Sequence, residues 1–280
     1  MRELDVRLLT DALSRAYEEI NYALSPDVCA AIRAAGARET SPLGREILGQ
    51  LSENLDAAVF EQIPVCQDTG MAVVFLELGQ DVHLTGGDLT EAVNEGVRRA
   101  CREGYLRRSV VSDPLDRVNT GDNAPAILHV SIVPGEKVTL TVTAKGFGSE
   151  NCSRLFLLKP ADGVQGVRSA VLTTVREAGG NACPPVVVGV GIGGDFEKCA
   201  LMAKHALTRP LGEPSPLERD AALERELLDE LNALGIGPAG LGGSVTALAV
   251  HVESYPTHIA GLPCAVNLCC HVDRHKTVVL

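Results

Sequence analysis

Apolar side chains recur at helical spacing through the first sixty residues, then gather into short unbroken runs. Val6, Leu9, Leu13, Ala16 and Ile20 share one face of a helix predicted over residues 2–23. Ser25-Pro26 starts a second helix, to about residue 35. Ser41-Pro42 opens a third, to about residue 60, with proline in its favoured first turn. The apolar run 71–78 reads as a buried strand. Leu89, Ala92, Val93, Val97 and Cys101 line one face of a helix over 88–103. An irregular stretch, 104–125, precedes strands at 127–133 and 138–144 and a Gly-rich loop at 144–151. The pattern then predicts a helix at 163–178, a strand at 186–190, a glycine loop at 191–195 and helices at 196–206 and 214–234. Strands at 244–252 and 265–268 close the chain.

Strands alternating with helices predict an α/β chain: mixed β-sheets layered with helices, a helical N-terminal segment, and one domain over 1–280. Apolar residues make up 45% but aromatics only 3%, so Val, Leu, Ala and Ile must fill the core. The net charge of −11, with no basic block, argues against a nucleic-acid partner. No apolar run approaches the length of a membrane span. Residues 1–18 are charged throughout and lack the apolar region of an export signal, so the expected compartment is the cytoplasm. The acidic residues of 214–234 read as a solvated face.

Nine cysteines are an odd number in a long chain without an export signal, which disfavours a disulfide framework. No CxxC pair occurs. Cys66, Cys183 and Cys270 stand at element boundaries beside turn formers, whereas Cys101 and Cys199 fall within helices and Cys264 at a strand start. Three thiolates do not complete a tetrahedral structural site, but they can hold a cluster with one open position. Gly189, Gly191 and Gly194 meet a GxGxxG spacing. No acidic residue ends a partner strand about 20 residues later, so close backbone packing is the better reading than a dinucleotide loop. The 148–151 loop reads equally as an anion cradle or a plain turn.

Five motifs stand in one order along the chain: Pro64–Gly70 (PVCQDTG), Asn119–Pro125 (NTGDNAP), the 144–151 loop, Ala182-Cys183-Pro184-Pro185, and Pro256–Pro263 (PTHIAGLP). Together they resemble the iron–sulfur hydro-lyases, the class I fumarate hydratases and L(+)-tartrate dehydratases. The resemblance covers essentially the whole chain, and it is to the separate alpha subunit of the two-subunit form. It implies a 4Fe–4S cluster on Cys66, Cys183 and Cys270. Cys269 and Cys264 compete for the last place; the pattern Asn267-x-x-Cys270-His271 favours Cys270. Cys152 is implied to be a bystander.

The resemblance further implies that Gln67 and Asp68 contact substrate, with Asp68 moving a proton at the leaving hydroxyl and His258 acting with it. Arg107 is implied as the carboxylate-binding arginine, with Arg108 its competitor, and Gly148 offers its backbone. Asn119, Asp122 and Asn123 shape the pocket. His271, Arg274 and His275 meet a partner chain, orient the cluster or are solvated tail charges. His83, His129, His205 and His251 read as structural. The implied reaction is reversible hydration of fumarate to (S)-malate by an open iron acting as Lewis acid, or, alternatively, dehydration of L(+)-tartrate. A thiol-rich zinc-holding module without catalysis is the reading from another class. The implied partners are a small dicarboxylate and a beta subunit, in an assembly of two alpha and two beta chains.

Overall fold

Asp5 ends one element and starts another. Its carboxylate accepts the N–H of Arg7 at 2.9 Å and caps the first helix, so that helix begins at Val6, not at residue 2. The computed structural model describes residues 1–280. Its elements are β1 (Arg2–Asp5), α1 (Val6–Tyr22), α2 (Pro26–Arg38), α3 (Pro42–Glu61), β2 (Met71–Gly79), β3 (Val82–Thr85), α4 (Leu89–Glu103), β4 (Ile127–Val133), β5 (Val138–Lys145), α5 (Phe147–Glu150), β6 (Arg154–Leu158), α6 (Gly163–Ala178), β7 (Val186–Gly194), α7 (Phe196–Ala206), α8 (Glu218–Asn232), β8 (Ala247–Thr257), β9 (Leu262–Cys269) and β10 (His275–Val279). The fold is α/β with mixed sheets and N-terminal helices, as the sequence pattern predicts. No helix is long and apolar enough to cross a membrane.

The chain forms two units. Unit 1 holds Met1–Ser25, Leu55–Phe147 and Arg274–Leu280; unit 2 holds Pro26–Asn54 and Gly148–Asp273.

In unit 1 the sheet order is β10-β5-β2-β4. Strand β2 runs parallel to β4 and antiparallel to β5, which explains its nearly unbroken apolar sequence. Leu9, Leu13 and Tyr17 of α1 and Val93 and Val97 of α4 share a core with Val74, Leu140 and Val142. Gly70 fixes how the chain enters β2. It has φ +74°, and a Cβ there would lie 2.5 Å from the Lys145 carbonyl oxygen. The backbone carrying Cys66–Thr69 therefore lies directly against the end of β5.

In unit 2 the order is β6-β9-β7-β8, with β7 parallel to β8 and antiparallel to β9. Helices α6 and α8 share one core with this sheet through Val171, Val175, Leu227 and Leu231. Cys199, Met202 and Ala203 of α7 form a second core with Ala265. The expected glycine loop at 191–195 is strand as far as Gly194. A Cβ on Gly189 would lie 2.1 Å from the Ala203 carbonyl oxygen, and one on Gly191 2.0 Å from that of Cys199. These glycines let α7 sit against β7, which is the packing role expected of them. Gly191→Ala is therefore expected to destabilise unit 2 by about 1–3 kcal/mol, the usual cost of overpacking. Denaturant unfolding measures this; an unchanged midpoint would contradict so close an approach.

The sequence pattern missed β1, β3, β6 and β10. It also read the acidic helix as solvated throughout, yet Asp220 and Glu224 are buried. The Ser254 hydroxyl donates to Asp220, and Arg209 with the N–H groups of Ser215 and Val252 donates to Glu224.

Candidate active site

In unit 1 the first candidate residues follow directly on α3. The N–H of Val65 donates to the Asn21 carbonyl at 2.8 Å, fixing the residue before Cys66. Cys66 is half-buried, and its sulfur accepts the N–H of Asp68 at 3.4 Å. A sulfur that receives a backbone donor suits a thiolate ligand. Gln67 is exposed. The Asp68 carboxylate is held from two directions: Oδ1 accepts Gly70 N–H at 3.0 Å and the Ser109 hydroxyl at 3.2 Å, and Oδ2 accepts Phe147 N–H at 3.1 Å.

Arg107 lies two residues before Ser109. It is exposed, and its guanidinium makes no hydrogen bond or ion pair within the chain, so it is available to a carboxylate. Its competitor Arg108 is also exposed; its carbonyl accepts from Asn119 at 2.9 Å. Burial pushes the Asp122 carboxyl up, but the Ala124 N–H and the Arg98 guanidinium outweigh it and leave the acid strengthened.

Of the three readings open for Arg274, burial excludes that of a solvated tail charge. It is 2% exposed and donates to Asn21 Oδ1 at 2.7 Å. A Cβ on Gly146 would lie 3.3 Å from Asp68 Oδ2 and 3.7 Å from an Arg274 terminal nitrogen, so both groups flank that glycine.

Unit 2 brings Cys183 and Cys270 onto adjoining loops. His271, next to Cys270, donates its Nδ1–H to the Cys183 carbonyl at 3.0 Å. Cys183 is exposed and takes a left-handed backbone, φ +53° and ψ +62°. Cys270 is half-buried just past β9, whereas Cys269 is buried within the strand. The 144–151 stretch is not all loop: Phe147–Glu150 forms one helical turn. Cys152 places its sulfur 3.5 Å from the Gly148 carbonyl oxygen.

Of the remaining thiols, Cys29 and Cys152 are half-buried, and Cys101, Cys199, Cys264 and Cys269 belong to the core. Burial pushes Cys101 up to about 11 and Cys264 to about 12, and raises Cys199 as well. The set Cys66, Cys183 and Cys270 differs from these in being accessible and in lying at element ends. By donor chemistry it fits an iron–sulfur cluster. No three His, Cys, Asp or Glu side chains stand close enough to form a ready-made metal site.

His258 stands elsewhere. It occupies the turn between β8 and β9; its Nδ1 accepts Ala260 N–H at 3.2 Å, leaving Nε2 open to solvent. Thr257 pairs with Gly194 at the last residue of β7, whereas Cys269 pairs with Val187 near the first. At ~3.3 Å per strand residue, the length of β7 separates His258 from the Cys183 and Cys270 loops by about 25 Å. A cavity of about 620 Å³ adjoins the His258 turn, lined by Val164, Ile192, Leu223, Leu262, Arg219 and Ser254; it holds none of the candidate site residues.

Three other histidines, His129, His205 and His251, make contacts within their own units. His129 stacks on Phe75 with centroids 5.1 Å apart, His205 meets Glu253 at 2.6 Å, and His251 bonds the Ala206 carbonyl. Burial lowers the basicity of His251.

Sequence reasoning missed Tyr17, Asn21 and Ser109. Tyr17 and Asn21 sit on the core face of α1 and gave no signal distinct from helix periodicity. Ser109 follows two arginines, and its contact with Asp68 crosses 41 residues.

A family model described as fumarate hydratase (Fumerase) matches residues 10–279. A Methanocaldococcus jannaschii protein provisionally named L(+)-tartrate dehydratase subunit alpha is 39% identical over 272 residues, covering 95% of each chain. The L(+)-tartrate dehydratase alpha subunit of Escherichia coli strain K12 is 32% identical over 279 residues, covering 98% of this chain and 91% of its own.

Proposed function

The chain belongs to the fumarate hydratase (Fumerase) family and is a hydro-lyase, and on that premise we propose that it is the alpha subunit of an iron–sulfur hydro-lyase acting on a four-carbon dicarboxylate. The observation that carries this reading is the match, over nearly their whole lengths, to relatives named as L(+)-tartrate dehydratase alpha subunits. Those names put L(+)-tartrate ahead of fumarate as substrate, reversing the order taken from the sequence alone. The description of the family model keeps hydration of fumarate as the second reading. Family membership sets aside the non-catalytic zinc module.

Cys66, Cys183 and Cys270 would hold a 4Fe–4S cluster, which when bound supplies a Lewis-acidic iron for the substrate's carboxylate and hydroxyl. The chain's own residues do the rest. Asp68 takes or gives the proton at the departing oxygen, held in aim by Ser109 and two backbone N–H groups. Gln67 contacts the substrate, Arg107 binds one carboxylate as a planar fork, and Gly148 offers its backbone.

A four-carbon substrate is far shorter than β7, so His258 does not reach the Cys183 and Cys270 loops of its own unit 2. We place it in the site of a second copy, with its open Nε2 as the proton-carrying atom. This suits an assembly of two alpha and two beta chains, in which the beta subunit supplies the second carboxylate anchor and the acid–base group on the opposite face. Residues 1–280 then serve as one catalytic domain, working in the cytoplasm.

The test of substrate is turnover by the anaerobically assembled alpha–beta enzyme. L(+)-tartrate is expected to be dehydrated with the higher kcat/KM. Preference for (S)-malate or fumarate would support the second reading, and turnover of none would contradict both.

A further inference from the structure

Asn123 is fully buried, and it alone in the 119–125 motif bonds to both the Asp68 loop and the segment bearing Arg107. Its Oδ1 accepts the N–H of Ser109 at 2.6 Å. Its Nδ2 donates to the Gly70 carbonyl at 3.2 Å and to the Tyr17 hydroxyl at 3.4 Å. Those partners fix which way the amide points, because its oxygen faces a donor and its nitrogen faces acceptors. The backbone is left-handed, φ +64°, a conformation asparagine tolerates better than most side chains.

The two backbone segments it ties converge on one oxygen atom. Asp68 Oδ1 accepts the N–H of Gly70 and the hydroxyl of Ser109, the two residues whose other backbone groups Asn123 holds. The Tyr17 hydroxyl closes the ring by donating to the Thr69 and Gly70 carbonyls at 3.4 Å. Both the oxygen and the nitrogen of the Asn123 amide are thus engaged by these segments and by Tyr17. Arg107, two residues before Ser109, is carried on the same backbone.

We propose that Asn123 is a positioning residue that sets the spacing between the proton-handling carboxylate of Asp68 and the carboxylate-binding guanidinium of Arg107, acting on Asp68 through Ser109. This rests on the hydro-lyase reading of the site. Reaction rates respond steeply to such spacing, since a misplacement of about 1 Å can cost about 100-fold.

The test uses the assembled alpha–beta enzyme. Asn123→Gly keeps the left-handed backbone free of strain and removes the clamp. It is expected to lower kcat by about 10–100-fold and to raise KM, with iron content per alpha chain retained. Ser109→Ala, at a partly exposed position, is expected to lower kcat with a smaller change in KM. The double variant is expected to be no slower than Asn123→Gly alone, because both changes cut one chain of contacts. A merely structural residue would give a lower Tm with kcat and KM of the iron-loaded fraction unchanged, and that result overturns the proposal, as do fully additive losses.

Where Asn123→Gly does not assemble, the near-isosteric Asn123→Asp and the Ser109→Ala variant carry the same kcat-against-KM comparison. A second readout is independent of activity. Amide hydrogen exchange over residues 65–70 of the cluster-free alpha chain is expected to speed up in Asn123→Gly while β2 and β5 stay protected. Unchanged exchange there overturns the proposal. A wild-type enzyme that turns over neither L(+)-tartrate nor (S)-malate would instead sink the reading of the site, and the exchange experiment would still decide the clamp.

Discussion

Asp68→Asn in the assembled enzyme is expected to lower turnover by at least about 100-fold, the lower scale for losing a positioned acid or base, with iron content unchanged. The substitution keeps the shape of the side chain. Its Oδ1 can still accept from Gly70 and Ser109, so two of the three anchoring bonds remain; the bond from Phe147 N–H is lost together with the proton acceptor. His258→Asn is expected to fall similarly.

The length of β7 makes the pair more informative together than apart. If His258 serves a second copy's site, mixing the two inactive alpha chains before assembly restores one wild-type site in every mixed pair. With random pairing that is about a quarter of full activity, as two-fold symmetry requires. Pairing within one chain would leave a defect in every site and restore nothing, and that outcome would place His258 beside its own Asp68. Near-normal turnover in both single variants would assign the proton chemistry to other groups.

The second large effect concerns the thiols. Cys66→Ser, Cys183→Ser and Cys270→Ser are each expected to abolish cluster binding and activity, because a hydroxyl replaces a thiolate donor. Cys152→Ser, Cys199→Ser and Cys264→Ser are expected to keep both, with modest stability losses at the two buried sites. Cys269→Ser separates adjacent candidates. Its side chain is buried in β9 whereas Cys270 lies beyond the strand end, so iron is expected to survive the change at 269 and not at 270. Iron and acid-labile sulfide, measured per alpha chain, read out the whole series; the reverse pattern at 269 and 270 would show Cys269 to be the ligand.

What the sequence disclosed and what it hid divide along the range of the forces involved. Residues 127–133 were readable as β4 because five apolar residues, four of them β-branched, crowd a short stretch interrupted only by His129 and Ser131. The start of α4 was readable because the Asp88 carboxylate accepts the Glu91 N–H three residues on, a local capping geometry. Strands β1, β6 and β10 were not readable. Their partners are distant: Arg2 pairs with Val82, Arg154 with Val266, and His275 with Thr143. Pairing, not apolar pattern, makes them strands.

The same limit applies to the site. Cys66, Gln67 and Asp68 stood out as one reactive segment beside a strand. The groups that orient Asp68, at Ser109 and Phe147, arrive only when β5 and the 104–125 stretch fold against that loop. The separation of His258 from the Cys183 and Cys270 loops was hidden for a topological reason. Strand β8 continues past residue 252 through Pro256 to Thr257, and β7 continues to Gly194, so the turn is carried to the far end of the sheet. The burial of Arg274 was not legible because nothing near it in sequence announces Asn21, 253 residues away.

The most direct measurement is anaerobic reconstitution of this chain with and without its beta partner, followed by iron and sulfide analysis and an L(+)-tartrate assay. The pair is expected to hold iron and sulfide in equal amounts and to turn over substrate, and the lone alpha chain to bind cluster poorly with negligible activity. Full turnover by the homogeneous alpha chain alone, or an active pair free of iron, would contradict it.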